Sequence, residues 1–411
     1  MALKTKWLLS KTKSCSCTMV GVYRALAFCK DVAVIFHSPI GCAHVASTMD
    51  LGSGFRVVAD QGQEKRPPTP LISSHLREKD SIFGGIDRLH QCISYVMDTY
   101  KPKCLFIVSS CVAGVIGDDI DQEAEDAEQE YGIPVISMPF AGFLGGEYSD
   151  AYYKTVDVMI SRFFQKQDHV PGRVLLLGDQ MGPEGQYARE VKRLLSLFGL
   201  DVHWQFPGYV PFDEWKQIPS ASLSILLGTA GQPGGMLDVA KRLETEFGIP
   251  TLGDVYPVGW ENTCQWIRAL ANQLGQPDKG EAIVAAEEKR LHDAISSYLP
   301  VTSGKKVVVV IGRGPRWYRP VETLKGLSRL EMDITGVVYF DNLTDEEKKI
   351  LTEQIHSFGP IPIWNAAEGQ TVIDEADVCL TTNEMFNTQT KQMFIPMIPL
   401  TGTEGEICQL R

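Results

Sequence analysis

Short apolar runs rich in valine, isoleucine and leucine alternate with stretches of helical periodicity along most of the chain. That rhythm predicts strand–helix units with parallel sheets buried on both faces. In the first third the candidate strands are DVAVIFH (31–37), CLFIVSS (104–110) and IPVISM (133–138). DDIDQEAEDAEQEY (118–131) reads as a polar helix whose first turn is crowded with acids, as the helix dipole favours. A second unit opens after KQDHVPG with RVLLLG (173–178), an amphipathic helix ending at Gly199, and DVHWQF (201–206). It continues with SLSILLG (222–228), a helix over GGMLDVAKRLETEFG, the run IPTLGD and one long helical stretch from about Glu261 through EAIVAAEEKRLHDAISSYL.

A third unit starts at SGKKVVVVIGRG (303–314) and runs to MDITGVVYF (332–340). The helix TDEEKKILTEQIHSFG then carries a capping box, Thr344 with Glu347, and ADVCLTTN (376–383) and QMFIPMIPL (392–400) complete the unit. A chain of 411 residues is too long for one core. The expectation is an α/β protein of three Rossmann-like domains, over 1–170, 171–302 and 303–411.

Composition narrows the function classes. With 44% hydrophobic and 22% charged residues the chain matches ordinary globular proteins. A net charge of −12 argues against a nucleic-acid binder and offers an acidic surface to a basic-faced partner. No apolar run approaches the roughly 20 residues that cross a bilayer. The start, MALKTKWLLSKTKSCSC, has too short an apolar patch for a signal peptide, so a cytoplasmic protein is expected.

Seven of the ten cysteines fall within the first 111 residues. In a large cytosolic chain such crowding favours metal, redox chemistry or buried thiols over disulfides. Cys17, Cys42 and Cys111 share a context: Cys17 precedes a helix-like stretch, and Cys42 and Cys111 each follow a strand. Functional groups in parallel α/β sheets collect at the carboxyl ends of strands, and helix N-termini there stabilise thiolates. The spacing, 24 residues between the first pair and 68 between the second, matches no generic metal motif. On residues alone, three cluster ligands and three core thiols both remain open. Cys15 is the local alternative to Cys17, whereas Cys29, Cys92 and Cys104 sit in apolar patterns and read as core. Asp118 and Asp119 follow Gly117 at a helix start, which assigns them to capping. His37 and His44 flank the Cys42 turn, where each could donate to a cluster sulfur or a substrate.

VVVVIGRGPRWYRP (307–320) is a strand opening onto a glycine-rich turn, but Trp317 stands where a dinucleotide fingerprint needs its third glycine. Arg313, Arg316 and Arg319 make that turn cationic, suited to an anionic ligand or a metal cluster. GxxxxGK[ST] occurs nowhere, so the chain carries no P-loop.

HSPIGCAH around Cys42, REKDSIFGG (77–85), SSCVAGVIGDDID around Cys111, AGFLGG (141–146) and IGRGPRW occur in the order of a known family. On these motifs the chain resembles the nitrogenase component-1 superfamily: nitrogenase α and β subunits, their cofactor-assembly scaffolds and nitrogenase-like reductases. The resemblance implies three α/β domains and an iron–sulfur cluster, of [4Fe-4S] or [8Fe-7S] type, held between homologous subunits. It places the cluster cysteines at Cys17, Cys42 and Cys111. Amides near Gly41 and Gly114 become candidate donors to the cluster, and Arg313 and Arg316 candidate contacts for a cofactor. It implies two partners, a homologous component-1 subunit and an ATP-dependent iron protein, in a hetero-oligomer or alternatively a homodimer.

Two departures qualify this. The family's α subunit anchors its catalytic cofactor by a cysteine and a histidine, whose places fall near Gln232 and Thr401, and neither residue is present here. The chain also lacks the β subunit's long N-terminal extension and ends early, which points away from a true nitrogenase subunit. The leading expectation is therefore an electron-transferring subunit of a nitrogenase-like reductase, with methylthio-alkane reductase as first candidate. A cofactor-assembly scaffold is the alternative, and the tetrapyrrole reductases stand behind both.

Overall fold

The structure is a computed structural model that describes residues 17–49, 68–179, 182–228, 235–315, 318–385, 388–395 and 401–410. Three all-parallel sheets follow one another along the chain. The first has the order β2-β1-β3-β4, with β1 Val32–His37, β2 Leu71–Ser73, β3 Cys104–Ser109 and β4 Val135–Met138. The second is β6-β5-β7-β8, with β5 Val170–Leu177, β6 Asp201–Phe206, β7 Ala221–Leu226 and β8 Thr251–Leu252. The third is β11-β10-β9-β12-β13, with β9 Lys306–Ile311, β10 Asp333–Tyr339, β11 Ile363–Asn365, β12 Val378–Thr381 and β13 Lys391–Phe394.

Every residue of β1 and β3 is buried, as their unbroken apolar runs require of a central parallel strand. The first and second units share one hydrophobic core, which runs from Met19 to Val284. The helix Thr18–Leu26 packs on Tyr148–Phe163 at close range: a Cβ at Gly21 would lie 2.2 Å from the Tyr148 carbonyl oxygen. The third unit keeps its own two cores on the faces of its sheet. The long helical stretch expected after Glu261 is two helices, Trp260–Gln273 and Pro277–Thr302, with Gly275 (φ +67) between them. The capping box at Thr344 and Glu347 is formed.

The last helix, Gly402–Leu410, packs against helices of the second unit rather than its own sheet. Gln186 stitches it there: its Nε2 donates to the Thr401 carbonyl (2.9 Å) and its Oε1 accepts the Thr401 amide (3.0 Å). The third unit's helix Pro320–Arg329 meets this junction through charge. Arg329 bonds Glu406 and Glu261, each at 2.8 Å, and Lys325 reaches Glu261 at 3.3 Å.

Glu406 is 4% exposed. Burial raises its pKa from 4.5 to about 7; Arg329 and Lys325 oppose the rise, and Glu322 and Glu261 add to it. The folded state therefore holds this proton more tightly than the unfolded chain. The stabilisation is complete below about 4.5 and is lost as pH rises through about 7. Glu406→Gln, which mimics the protonated acid, is expected to gain stability over the wild type by about 2–3 kcal/mol between pH 5 and pH 8. Denaturant titrations of both proteins across that range check this; a gap that does not change with pH contradicts it.

Candidate metal centre

The first sheet reverses direction between β1 and β3, the point at which parallel α/β sheets open a crevice beyond their strand ends. Cys42 and Cys111 leave the sheet there. The two strands are in register, His37 opposite Ser109, and the Ser110 amide donates to the His37 carbonyl at 3.1 Å. Beyond β1 the chain turns through Ser38 and Pro39 into the helix Ile40–Met49, which carries Cys42. Beyond β3, Ser110 caps the helix Cys111–Ile116, its Oγ accepting the Ala113 amide at 3.2 Å.

Cys17 reaches the same place from the N-cap of Thr18–Leu26. The Thr18 hydroxyl donates to the Gly142 carbonyl at 2.7 Å. Gly142 in turn lies flat against the Cys111 helix: its φ is +55, and a Cβ on it would stand 2.7 Å from the Cys111 nitrogen. The AGFLGG motif thus bridges the Cys17 and Cys111 helices at a spot with no room for a side chain.

All three thiols are half-buried, and none of the nine described cysteines is in a disulfide. Burial raises the pKa of Cys17; the amides of Met19 and Val20 work against this, while the charges of Cys42 and Cys111 add to it. Burial also raises Cys42, as does the charge of Cys111, with the Ser38 hydroxyl opposing. Two of the three thiols are thus made harder to ionise, and metal binding, which draws off such protons, would offset that cost. Among the described residues no three His, Cys, Asp or Glu side chains stand close enough to hold a single metal ion. A multi-iron cluster, in which each thiolate binds its own iron, accepts a wider spacing, and the donor set fits such a group one ligand short of a four-iron cube.

Exposed apolar side chains ring the thiols: Ile40 and Val45 on the Cys42 helix, Val115 on the Cys111 helix, Phe143 and Leu144 beside Gly142. Phe83, 86% exposed, stands on Asp80–Phe83, which packs against the Cys111 helix. Sequence patterning missed this rim, because loop positions carry no periodicity to mark them.

The other candidates fall into different places. Gly41 is exposed, with open space where a Cβ would be. The Gly114 amide is engaged by the Ser110 carbonyl at 2.9 Å, so what the residue visibly supplies is clearance, a Cβ there falling 2.5 Å from that of Ala141. Arg313 follows β9 at the third sheet's own reversal point, its Nε donating to the Thr382 carbonyl at 3.3 Å. Among the described residues no hydrogen bond or ion pair joins it to the cysteine edge. Arg316 and Gln232 lie outside the described residues, as does Cys15. Cys29, Cys92 and Cys104 are buried, as expected of core thiols. His44 is exposed on the Cys42 helix.

The aspartate pair divides its labour. Asp119 is the N-cap of Ile120–Tyr131, accepting the Gln122 amide at 3.0 Å. Asp118 does not cap that helix. Its carboxylate accepts the Gly85 amide (2.9 Å) and contacts His37 Nε2 (2.8 Å). His37 Nδ1 faces the Ser74 hydroxyl at 2.9 Å, so both ring nitrogens are engaged and neither is left for a sulfur; burial lowers the pKa of the ring, with Asp118 and Asp80 opposing.

Known proteins share this arrangement of sheets and this sequence. The sequence profile of the Nitrogenase component 1 type Oxidoreductase family matches residues 17–395. The nitrogenase iron-molybdenum cofactor biosynthesis protein NifE of Clostridium pasteurianum is 30% identical over 366 residues, covering 88% of this chain and 74% of its own. NifE of Nostoc sp. is 27% identical over 327 residues, 75% of this chain and 64% of the relative. The nitrogenase molybdenum-iron protein alpha chain of Methanosarcina barkeri is 26% identical over 334 residues, 79% of this chain and 60% of the relative. The chain therefore spans less than two thirds of the latter two. The solved structure of nitrogenase Cp1 at pH 5 superposes with a TM-score of 0.65 at 17% identity, covering 96% of this chain and 86% of that one, and so shares its fold. By sequence profile and by its three parallel sheets, the chain belongs to the nitrogenase component 1 type oxidoreductases.

Proposed function

We propose that this chain is one subunit of a scaffold on which a nitrogenase-type metal cofactor is assembled. In this reading Cys17, Cys42 and Cys111 hold an iron–sulfur cluster at the boundary with a homologous subunit, and a metal-cofactor precursor is held and passed on without substrate turnover. The observation that carries it is the convergence of three half-buried thiols at one sheet reversal, ringed by exposed apolar side chains. Three thiolates leave a four-iron cube incomplete, and an apolar rim around an incomplete site fits a partner that completes it. A bound iron–sulfur cluster would supply one-electron chemistry there. An ATP-dependent iron protein is the proposed source of electrons, since the chain has no P-loop of its own.

The choice of a scaffold over a reductase draws on the relatives, of which the cofactor-biosynthesis proteins are the more similar. It draws also on Thr401, buried and bonded to Gln186 where the resemblance places the cofactor histidine. The earlier leading expectation, an electron-passing subunit of a reductase such as methylthio-alkane reductase, becomes the second reading, supported by the match to the nitrogenase alpha chain.

Purified anaerobically with its natural partner, the wild-type complex is expected to contain iron and acid-labile sulfide, and Cys42→Ala to lose most of both. Equal contents in the two preparations count against the cluster assignment. Phe143→Asp, on the rim and not itself a sulfur ligand, is expected to weaken association with the partner by about 10- to 100-fold, read by analytical ultracentrifugation. Supplied with an iron protein and ATP, the complex should transfer cluster to an apo-enzyme without sustained reduction of added substrate; steady ATP-dependent turnover favours the reductase instead.

A further inference from the structure

The Asp118 side chain is 4% exposed, and among the described residues its partners are the Gly85 amide and the His37 ring. A carboxylate buried at the end of a sheet is costly unless hydrogen bonds satisfy it, and these do so. They join three connections. His37 ends β1, five residues before Cys42, and Asp118 lies seven residues after Cys111. Gly85 closes the turn after Asp80–Phe83, and a Cβ on it would stand 2.7 Å from Asp118 Oδ2 and 3.2 Å from His37 Cε1. The bonds continue past the imidazole. The Ser74 hydroxyl meets His37 Nδ1 at 2.9 Å and accepts the amide of Ser38, the first residue of the turn into Cys42, at 3.1 Å. One line of hydrogen bonds therefore runs from the Cys111 branch to the Cys42 branch across the reversal point.

We infer that Asp118 is a positioning residue that sets the spacing between the Cys42 and Cys111 thiols, acting through His37, Ser74 and the Gly85 amide. The inference rests on the reading of those thiols as cluster ligands, but its geometry can be tested without iron. Metal sites lose about 10- to 100-fold in affinity or activity when the groups that orient their ligands are removed.

The test compares wild type, Asp118→Ala and Asp118→Asn in two readouts. The first, on metal-free full-length chain, is the yield of Cys42–Cys111 cross-link with a short bis-maleimide, mapped by mass spectrometry. The second, on the complex with its partner, is iron retention against a chelator together with the electron paramagnetic resonance signature. Asp118→Ala is expected to lower the cross-link several-fold and iron retention by about 10- to 100-fold, with a thermal midpoint close to the wild type. Asp118→Asn, which keeps an acceptor for Gly85 and a polar contact to His37, should retain most of both. Cross-linking and retention unchanged in Asp118→Ala overturn the proposal. So does loss of iron in both variants with cross-linking intact, since charge and not spacing would then be at work. If Asp118→Ala does not fold, His37→Gln cuts the imidazole arm alone; it should lower the cross-link, and an unchanged yield refutes the clamp. A wild type that takes up no iron, with the cross-link still dependent on Asp118, rejects the cluster reading and leaves the positioning role standing.

Discussion

Three half-buried thiols, Cys17, Cys42 and Cys111, converge at the end of a parallel sheet, and much of the molecule's organisation bears on that fact. Burial raises the pKa of Cys17 and of Cys42; the charges of Cys42 and Cys111 add to the rise at Cys17, and that of Cys111 adds to it at Cys42. At Cys17, the N-cap of its helix, the amides of Met19 and Val20 offset part of this, as the Ser38 hydroxyl does at Cys42. On the proposed reading a bound metal would offset the rest, since metal binding draws the proton off a thiol that ionises poorly when free.

The sheet makes the set possible. Because β1 and β3 are adjacent, parallel and in register, the loops that follow them diverge from one point, and residues far apart in sequence are delivered within a few residues of their strand ends. The same construction recurs twice along the chain. In the third unit Arg313 and Thr382 meet at the reversal between β9 and β12, and in the second Gly178 packs against Leu227 where β5 and β7 diverge. The thiols and the arginine therefore stand at the switch points of separate sheets.

The strands and most helices were legible because burial on both faces writes an uninterrupted apolar run, as in VAVIFH and CLFIVS. Short edge strands such as Leu71–Ser73 and Ile363–Asn365 escaped because half-buried residues write no such run. The helix break at Gly275 was overlooked although a glycine followed by Pro277 marks one. At the site, Cys42 and Cys111 were legible as residues just beyond strand ends and Cys17 as one preceding a helix, while their candidacy as cluster ligands came from the resemblance. The aspartates were only half legible: a helix has one N-cap, so an adjacent pair implies a second task for one member, but its partners at His37 and Gly85 lie too far away in sequence to name. The apolar rim was invisible for a related reason, since exposure in loops is decided by tertiary contacts alone.

Thr401 shows how the chain departs from an enzyme that grips a cofactor. The position that the resemblance gives to a ligand is used here to stitch the last helix to Gln186 of the second unit, beside the ion pairs of Arg329 with Glu261 and Glu406. The first two units share one continuous core, whereas the third keeps separate cores and meets the second through the packing of the helix Gly402–Leu410, charges and this stitch. On the scaffold reading proposed above, a residue that ties the last helix in place instead of gripping a metal suits holding that can be reversed over holding that is permanent.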